Sequence, residues 1–237
     1  MSEQLRPPSA EFDQMNETES ADPTKRIHTV LLQLADIAMQ LSRTYRVPRY
    51  DTSSRENDSE HSVMVSLQAA AIAAEFRPDL NPYEVGFKAI IHELIEVVTQ
   101  DVQTFKISDE DLAKKEQRED EAIEVLCAML PPFIADLVRE YQLHEDPHSR
   151  FVGMIDKTAP VAVDILGPGS KFMHEDYETC SLEHLQGIHI QLQERYEQRY
   201  PDPDLWQIHL AQRSLMAHFE SVFVPKGEYY EDPEYSI

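Results

Sequence analysis

The sequence has 237 residues, 41% of them hydrophobic, which is enough for one substantial core, and one domain is the default reading. Its formal net charge of -23 repels polyanions and sets aside long nucleic acids and anionic membranes as partners, although a small anionic substrate stays open if a pocket-held cation or a few local Arg and Lys draw it in. A polar start, the absence of any apolar run long enough to span a bilayer, and only two cysteines, Cys127 and Cys180, fit a soluble protein without a leader, expected in a reducing cytoplasm.

Residues 1–24 are poor in apolar side chains and rich in Ser, Glu, Asp and Pro, so they are expected to be disordered, and the acidic tail 225–237 reads the same way. Residues 25–224 form the expected helical domain. Ile27, Val30, Leu31, Leu34, Ile37 and Leu41 recur at intervals of three or four and place one apolar stripe on the first helix. Further helices are expected at 60–76 and at 83–99, the latter with Asn81 as N-cap and Pro82 in the first turn. Others follow at 109–130 with Ser108 as cap, 132–143, 147–166, 180–199 and 204–222. No alternating pattern is long enough to support a sheet, and the fold class is all-α.

The helix at 83–99 carries His92, Glu93 and Glu96 within an otherwise apolar run, with Asp101 just beyond it. At helical spacing His92 and Glu96 share a face, where a metal or a proton could sit. The zinc pattern H-E-x-x-H fails because Glu96 stands at its second His, and the one E-x-x-H match, Glu145 to His148, spans Pro147. Two other helices can complete a ligand set: His61 opens the helix at 60–76, and Asp156 lies beside Met154 and Ile155, costly company for an unpaired acid. His61, His92, Glu93 and Asp156 offer two imidazoles and two carboxylates, a mixture suited to Mn, Fe, Co, Ni or Zn. Each residue also has a plainer reading. His92 and Glu96 could be a pair at a solvated edge, the acids near His61 helix-start charges, and Asp156 a surface partner of Lys157 or Arg150.

Taken together, these segments resemble HD-domain metal-dependent phosphohydrolases, and among them the bacterial 5′-deoxynucleotidase type, over roughly residues 26–170. "ENDSEHS" (56–62) is similar to that family's E-N-x-x-E-H-S segment, "HELIEVVTQD" (92–101) to its H-D-x-x-E-x-x-x-G-D, and "MIDK" (154–157) to the segment with the final ligand. The resemblance implies an HD-like helical bundle with additional C-terminal helices and a divalent metal held by His61, His92, Glu93 and Asp156. It also implies catalytic roles for Glu96 and Asp101, and phosphate contacts from Arg46 of "RVPR" and from Lys157. Two positions depart from the pattern: Glu93 replaces the Asp of the HD pair, and Gln100 replaces the Gly before Asp101.

The activity so implied is removal of phosphate from a nucleotide, a 5′-(deoxy)nucleoside monophosphate in the first place, with a homodimer left open. Arg46 taken alone reads as a loop arginine ending the first helix, and Phe172 and Tyr177 as either packing residues or the border of a base pocket. The competing function is a catalytically silent HD-fold protein that binds a nucleotide or a partner. A third is a helical scaffold with an interaction surface at 172–222.

Overall fold

In the computed structural model, which describes residues 22–49, 53–99, 109–167 and 182–218, nine helices are seen among the described residues. In chain order the elements are α1 (Pro23–Leu41), β1 (Tyr45–Arg49), β2 (Arg55–Asn57), α2 (Asp58–Phe76), α3 (Pro82–Ile91) and α4 (Glu96–Thr99). They continue with α5 (Asp109–Met129), α6 (Pro132–Leu143), α7 (Pro147–Leu166), α8 (Leu182–Arg199), a 3-10 turn (Pro203–Leu205) and α9 (Trp206–His218). Short polar side chains start several of them. Asp22 accepts the Thr24 N–H at 2.8 Å, and Asn81 accepts that of Tyr83 at 3.1 Å. Asn57 and Glu60 exchange side-chain and backbone bonds at 3.0 Å, a capping box at the head of α2.

The fold is all-α in substance, with three corrections to the expected elements. First, α1 begins at Pro23, inside the extension expected to be disordered to residue 24, because Asp22 supplies a cap and Pro23 a preset first turn. Second, β1 and β2 form a short antiparallel ribbon where no strand was expected, pairing Tyr45 with Asn57 and Arg49 with Arg55 across a register shift. The ribbon is too short to show alternation, and Pro48 suits an irregular edge. Third, the run 83–99 is not one helix: α3 stops at Ile91, and residues 92–95 turn before α4. His92 Nδ1 donates to the Ala89 carbonyl at 2.6 Å, the acceptor that an unbroken helix would give to the Glu93 N–H. The expected disorder at 225–237 and the Ser108 cap lie outside the described residues.

Two helices carry most of the architecture around the ligand residues. α2 and α3 approach closely at Gly86, where an added Cβ would lie 3.3 Å from Ala70 Cβ, and the Ser66 hydroxyl donates to the Gly86 carbonyl at 2.8 Å. α7 is buried along most of its length, with Phe151, Val152 and Met154 fully enclosed. Pro160 interrupts its hydrogen bonding, since it lacks the N–H that would reach the Asp156 carbonyl. One residue on, the Gln212 side chain of α9 donates to the Lys157 carbonyl at 3.2 Å. Lys88, completely buried on α3, joins α6 and α7 by reaching Glu140 at 2.7 Å, Asp146 at 2.9 Å and the Ser149 hydroxyl at 3.2 Å.

Candidate metal centre

Three chain segments deliver four ligand-type residues to one buried point. His61 comes from the first turn of α2, His92 and Glu93 from the turn closing α3, and Asp156 from the middle of α7. One ligand atom from each lies within 4.8 Å of all the others, and all four residues are buried. His61 Nε2 is 2.8 Å from Asp156 Oδ1 and 3.5 Å from Glu93 Oε1, while His92 Nε2 is 3.6 Å and 3.4 Å from the same two oxygens.

The donor set fits a divalent cation. A carbonyl only accepts, so the bond to Ala89 places the proton of a neutral His92 on Nδ1 and leaves the Nε2 lone pair facing the carboxylates. That Nε2 is buried and has no hydrogen-bond partner among the described residues. Lone pairs from imidazole and carboxylate repel unless a positive charge stands between them, and a metal or a proton supplies it. The same field is seen in the proton affinity of His92: burial opposes its charged form, yet Glu93 and Asp156 outweigh burial and raise its pKa to about 10. Burial also opposes the charge on Glu93, but Arg46 and then His92 hold its carboxyl well below the usual range. For Asp156 the cation beside it is Lys157, whose Nζ donates to Oδ2 at 2.6 Å, and its carboxyl too is held far down against the effect of burial.

Arg46 of β1 stands over this cluster. Its Nη1 pairs with Glu93 Oε1 and lies 3.8 Å from Asp58 Oδ1, its Nε is 3.4 Å from Glu56 Oε2, and its Nη2 is 4.0 Å from Asp156 Oδ1. Arg46 is therefore a strand residue within a nest of carboxylates, where the sequence alone read as loop. Glu96 is buried on α4 and its Oε2 accepts the Thr99 hydroxyl at 2.9 Å. His92 and Glu96 are consequently neither on one helical face nor at a solvated edge. Asp156 does pair with Lys157, but from a buried position, and Arg150 turns instead to the Glu145 carbonyl at 2.6 Å. Asp101, Phe172 and Tyr177 lie outside the described residues.

Two acids near the site were not singled out by sequence. Glu56 and Asp58 are fully buried, although both sit in the "ENDSEHS" stretch, whose acids read as helix-start charges. The sequence hint is the spacing from Asn57 to Glu60, which suits a capping box but does not by itself tell which acids of the stretch turn inward. A second grouping of Glu84, Asp146 and His148 already contains a cation, because Lys88 Nζ lies 3.7 Å from Glu84 and 2.9 Å from Asp146.

The family model described as HD domain matches residues 38–197. A 5′-deoxynucleotidase of Vibrio cholerae is 34% identical over 102 residues, covering 40% of this chain and 53% of that protein. One from Erwinia tasmaniensis is 32% identical over 111 residues, covering 43% and 56%. The chain thus spans about half the length of the curated relatives it matches. Among solved structures, a predicted metal-dependent phosphohydrolase from Magnetospirillum magnetotacticum MS-1 shares the fold with a TM-score of 0.64 at 21% identity, over 84% of this chain and 99% of that one.

Proposed function

Because this chain belongs to the HD-domain family, we propose that it is a metal-dependent phosphohydrolase that removes phosphate from a nucleotide, with a 5′-(deoxy)nucleoside monophosphate as substrate. The observation that carries the reading is the meeting of His61, His92, Glu93 and Asp156 with ligand atoms within 4.8 Å of one another. The 5′-deoxynucleotidases among the similar proteins point to the substrate class.

In this reading His61, His92, Glu93 and Asp156 would hold a divalent ion from among Mn, Fe, Co, Ni and Zn. When bound, that ion supplies positive charge against the negative charge developing on the phosphoryl oxygens. Arg46 and Lys157 bind non-bridging oxygens, and the guanidinium can take two of them at once. Lys157 retains enough exposure to be reached from outside, at 32% of its side chain. Glu96 takes a proton from water as the water oxygen bonds to phosphorus. The bond from phosphorus to the 5′ oxygen breaks, and that oxygen leaves with its electron pair and takes up the proton that Glu96 received. Asp101 is assigned to orienting the sugar or the water. On a protein of net charge -23, these local cations give an anionic substrate its point of entry. A cytoplasmic location belongs to the same proposal, in keeping with a sequence of only two cysteines.

The test is phosphate release from a panel of nucleoside mono-, di- and triphosphates with Mn, Co, Ni, Zn and Mg, comparing the parent with Glu96→Ala. Metal-dependent release from a monophosphate is expected, and Glu96→Ala should keep the metal while losing roughly 10²-fold or more in rate. Silence on every substrate, with nucleotides still raising the melting temperature, would replace this reading with a silent nucleotide-binding protein.

A further inference from the structure

We infer that Glu56 is a positioning residue whose single carboxylate sets both a metal-side imidazole and the phosphate-side arginine, an inference that rests on the metal-dependent reading above. Glu56 lies on β2, five residues before His61, and is completely buried. Its Oε2 is 3.4 Å from His61 Nδ1 on one side and 3.4 Å from Arg46 Nε on the other. The ribbon makes this bridge, since Tyr45 is opposite Asn57 and so brings the next residue of β1 beside the preceding residue of β2.

The chemistry gives each contact a purpose. His61 Nδ1 is buried with no hydrogen-bond partner among the described residues, while Nε2 donates to the Asp156 carboxylate at 2.8 Å, a bond that a bound ion would replace. A carboxylate beside Nδ1 favours the tautomer with the proton there, which leaves the Nε2 lone pair for an ion and makes the imidazole a better donor. On its other side the same oxygen attracts the guanidinium. Arg46 is thereby held by Glu56 from behind and Glu93 from in front, at the edge of the ligand cluster. A fully buried carboxylate costs stability unless cations or donors surround it, so its place between two such groups is a specific one.

Calorimetric titration of Mn²⁺ into the metal-free parent, Glu56→Gln, Arg46→Gln and the double variant tests the inference, together with kcat and KM for phosphate release. Glu56→Gln keeps the side chain's shape, and the double variant removes one charge of each sign, which guards against simple misfolding. Glu56→Gln is expected to weaken Mn²⁺ binding by about 10- to 100-fold, and by a similar factor when introduced into Arg46→Gln. Its KM should also rise as Arg46 loses its rear support. Unchanged Mn²⁺ affinity in both backgrounds would overturn the inference, even if the metal-free melting temperature fell, since that pattern is a purely structural role. A parent that binds Mn²⁺ but releases no phosphate would refute the proposed activity while the Mn²⁺ comparison still decides the role of Glu56. A parent that binds no Mn²⁺ is taken through the same comparison with Fe²⁺, Co²⁺, Ni²⁺ and Zn²⁺, and one that binds none of these refutes both.

Discussion

Asp164 is buried on α7, about two turns beyond Asp156, and one of its oxygens has no hydrogen-bond partner among the described residues. Burial, reinforced by the Glu56 carboxylate, raises its pKa to about 8 from the model-compound value of 3.8. The folded state therefore keeps a proton that the unfolded chain releases, and this group's contribution to stability falls as pH rises from about 4 to about 8. Asp164→Asn removes that dependence. Its melting temperature should exceed the parent's at pH 8, with the advantage shrinking steadily toward pH 4, as a series of thermal scans would show. The four residues of the buried cluster stand out in the sequence for a related reason. An acid beside Met154 and Ile155, or an imidazole and a carboxylate after Ile90 and Ile91, has no comfortable place in a core without a partner. Glu56 and Asp58 were not legible, because the stretch 56–60 holds three acids and only the folded cap shows that Glu60 is the one turned outward to the backbone.

Helix starts were readable because they depend on local chemistry: Asn81 before Pro82 predicts the head of α3, and the structure shows the bond to Tyr83 N–H. The end of α3 was hidden because apolar spacing continues through Leu94 and Ile95, both buried, so periodicity passes across the break. At the break the His92 side chain takes the Ala89 carbonyl, and sequence spacing carries no trace of that bond. The apolar stripe of α1 misled in the opposite sense: only Ile37 and Leu41 are buried, while Ile27 and Leu31 remain exposed among the described residues. α7 makes its contact with α8 by omission. Gly153 has no Cβ, and one placed there would lie 2.1 Å from the Tyr196 oxygen and 2.6 Å from its ring carbon Cζ. Gly153→Ala should accordingly cost about 1–3 kcal/mol, the scale of overpacking in a filled core. Denaturant unfolding can check this with Tyr196→Ala as the second arm: once the ring is absent, adding the methyl group should cost much less.

At the scale of the whole molecule, His61, the pair His92 and Glu93, and Asp156 are far apart in sequence and close in space. His61 and Asp156 lie on α2 and α7 and His92 in the turn closing α3, segments brought together by small-residue packing between α2 and α3 and by the Lys88 tie among α3, α6 and α7. The order of the motifs along the chain was legible, but their convergence depends on that packing and could only be inferred through the family resemblance. An ion held by all four residues would cross-link these segments, coupling metal loading to the stability of the folded state. Elemental analysis of the protein after reconstitution with Mn or Zn, set against His61→Ala, is the most direct measurement. Close to one tightly held ion per chain is predicted for the parent, lost in His61→Ala, as expected when an imidazole leaves a four-ligand set. Fewer than about one ion in ten chains, with the two proteins indistinguishable, would contradict a metal centre built from His61, His92, Glu93 and Asp156.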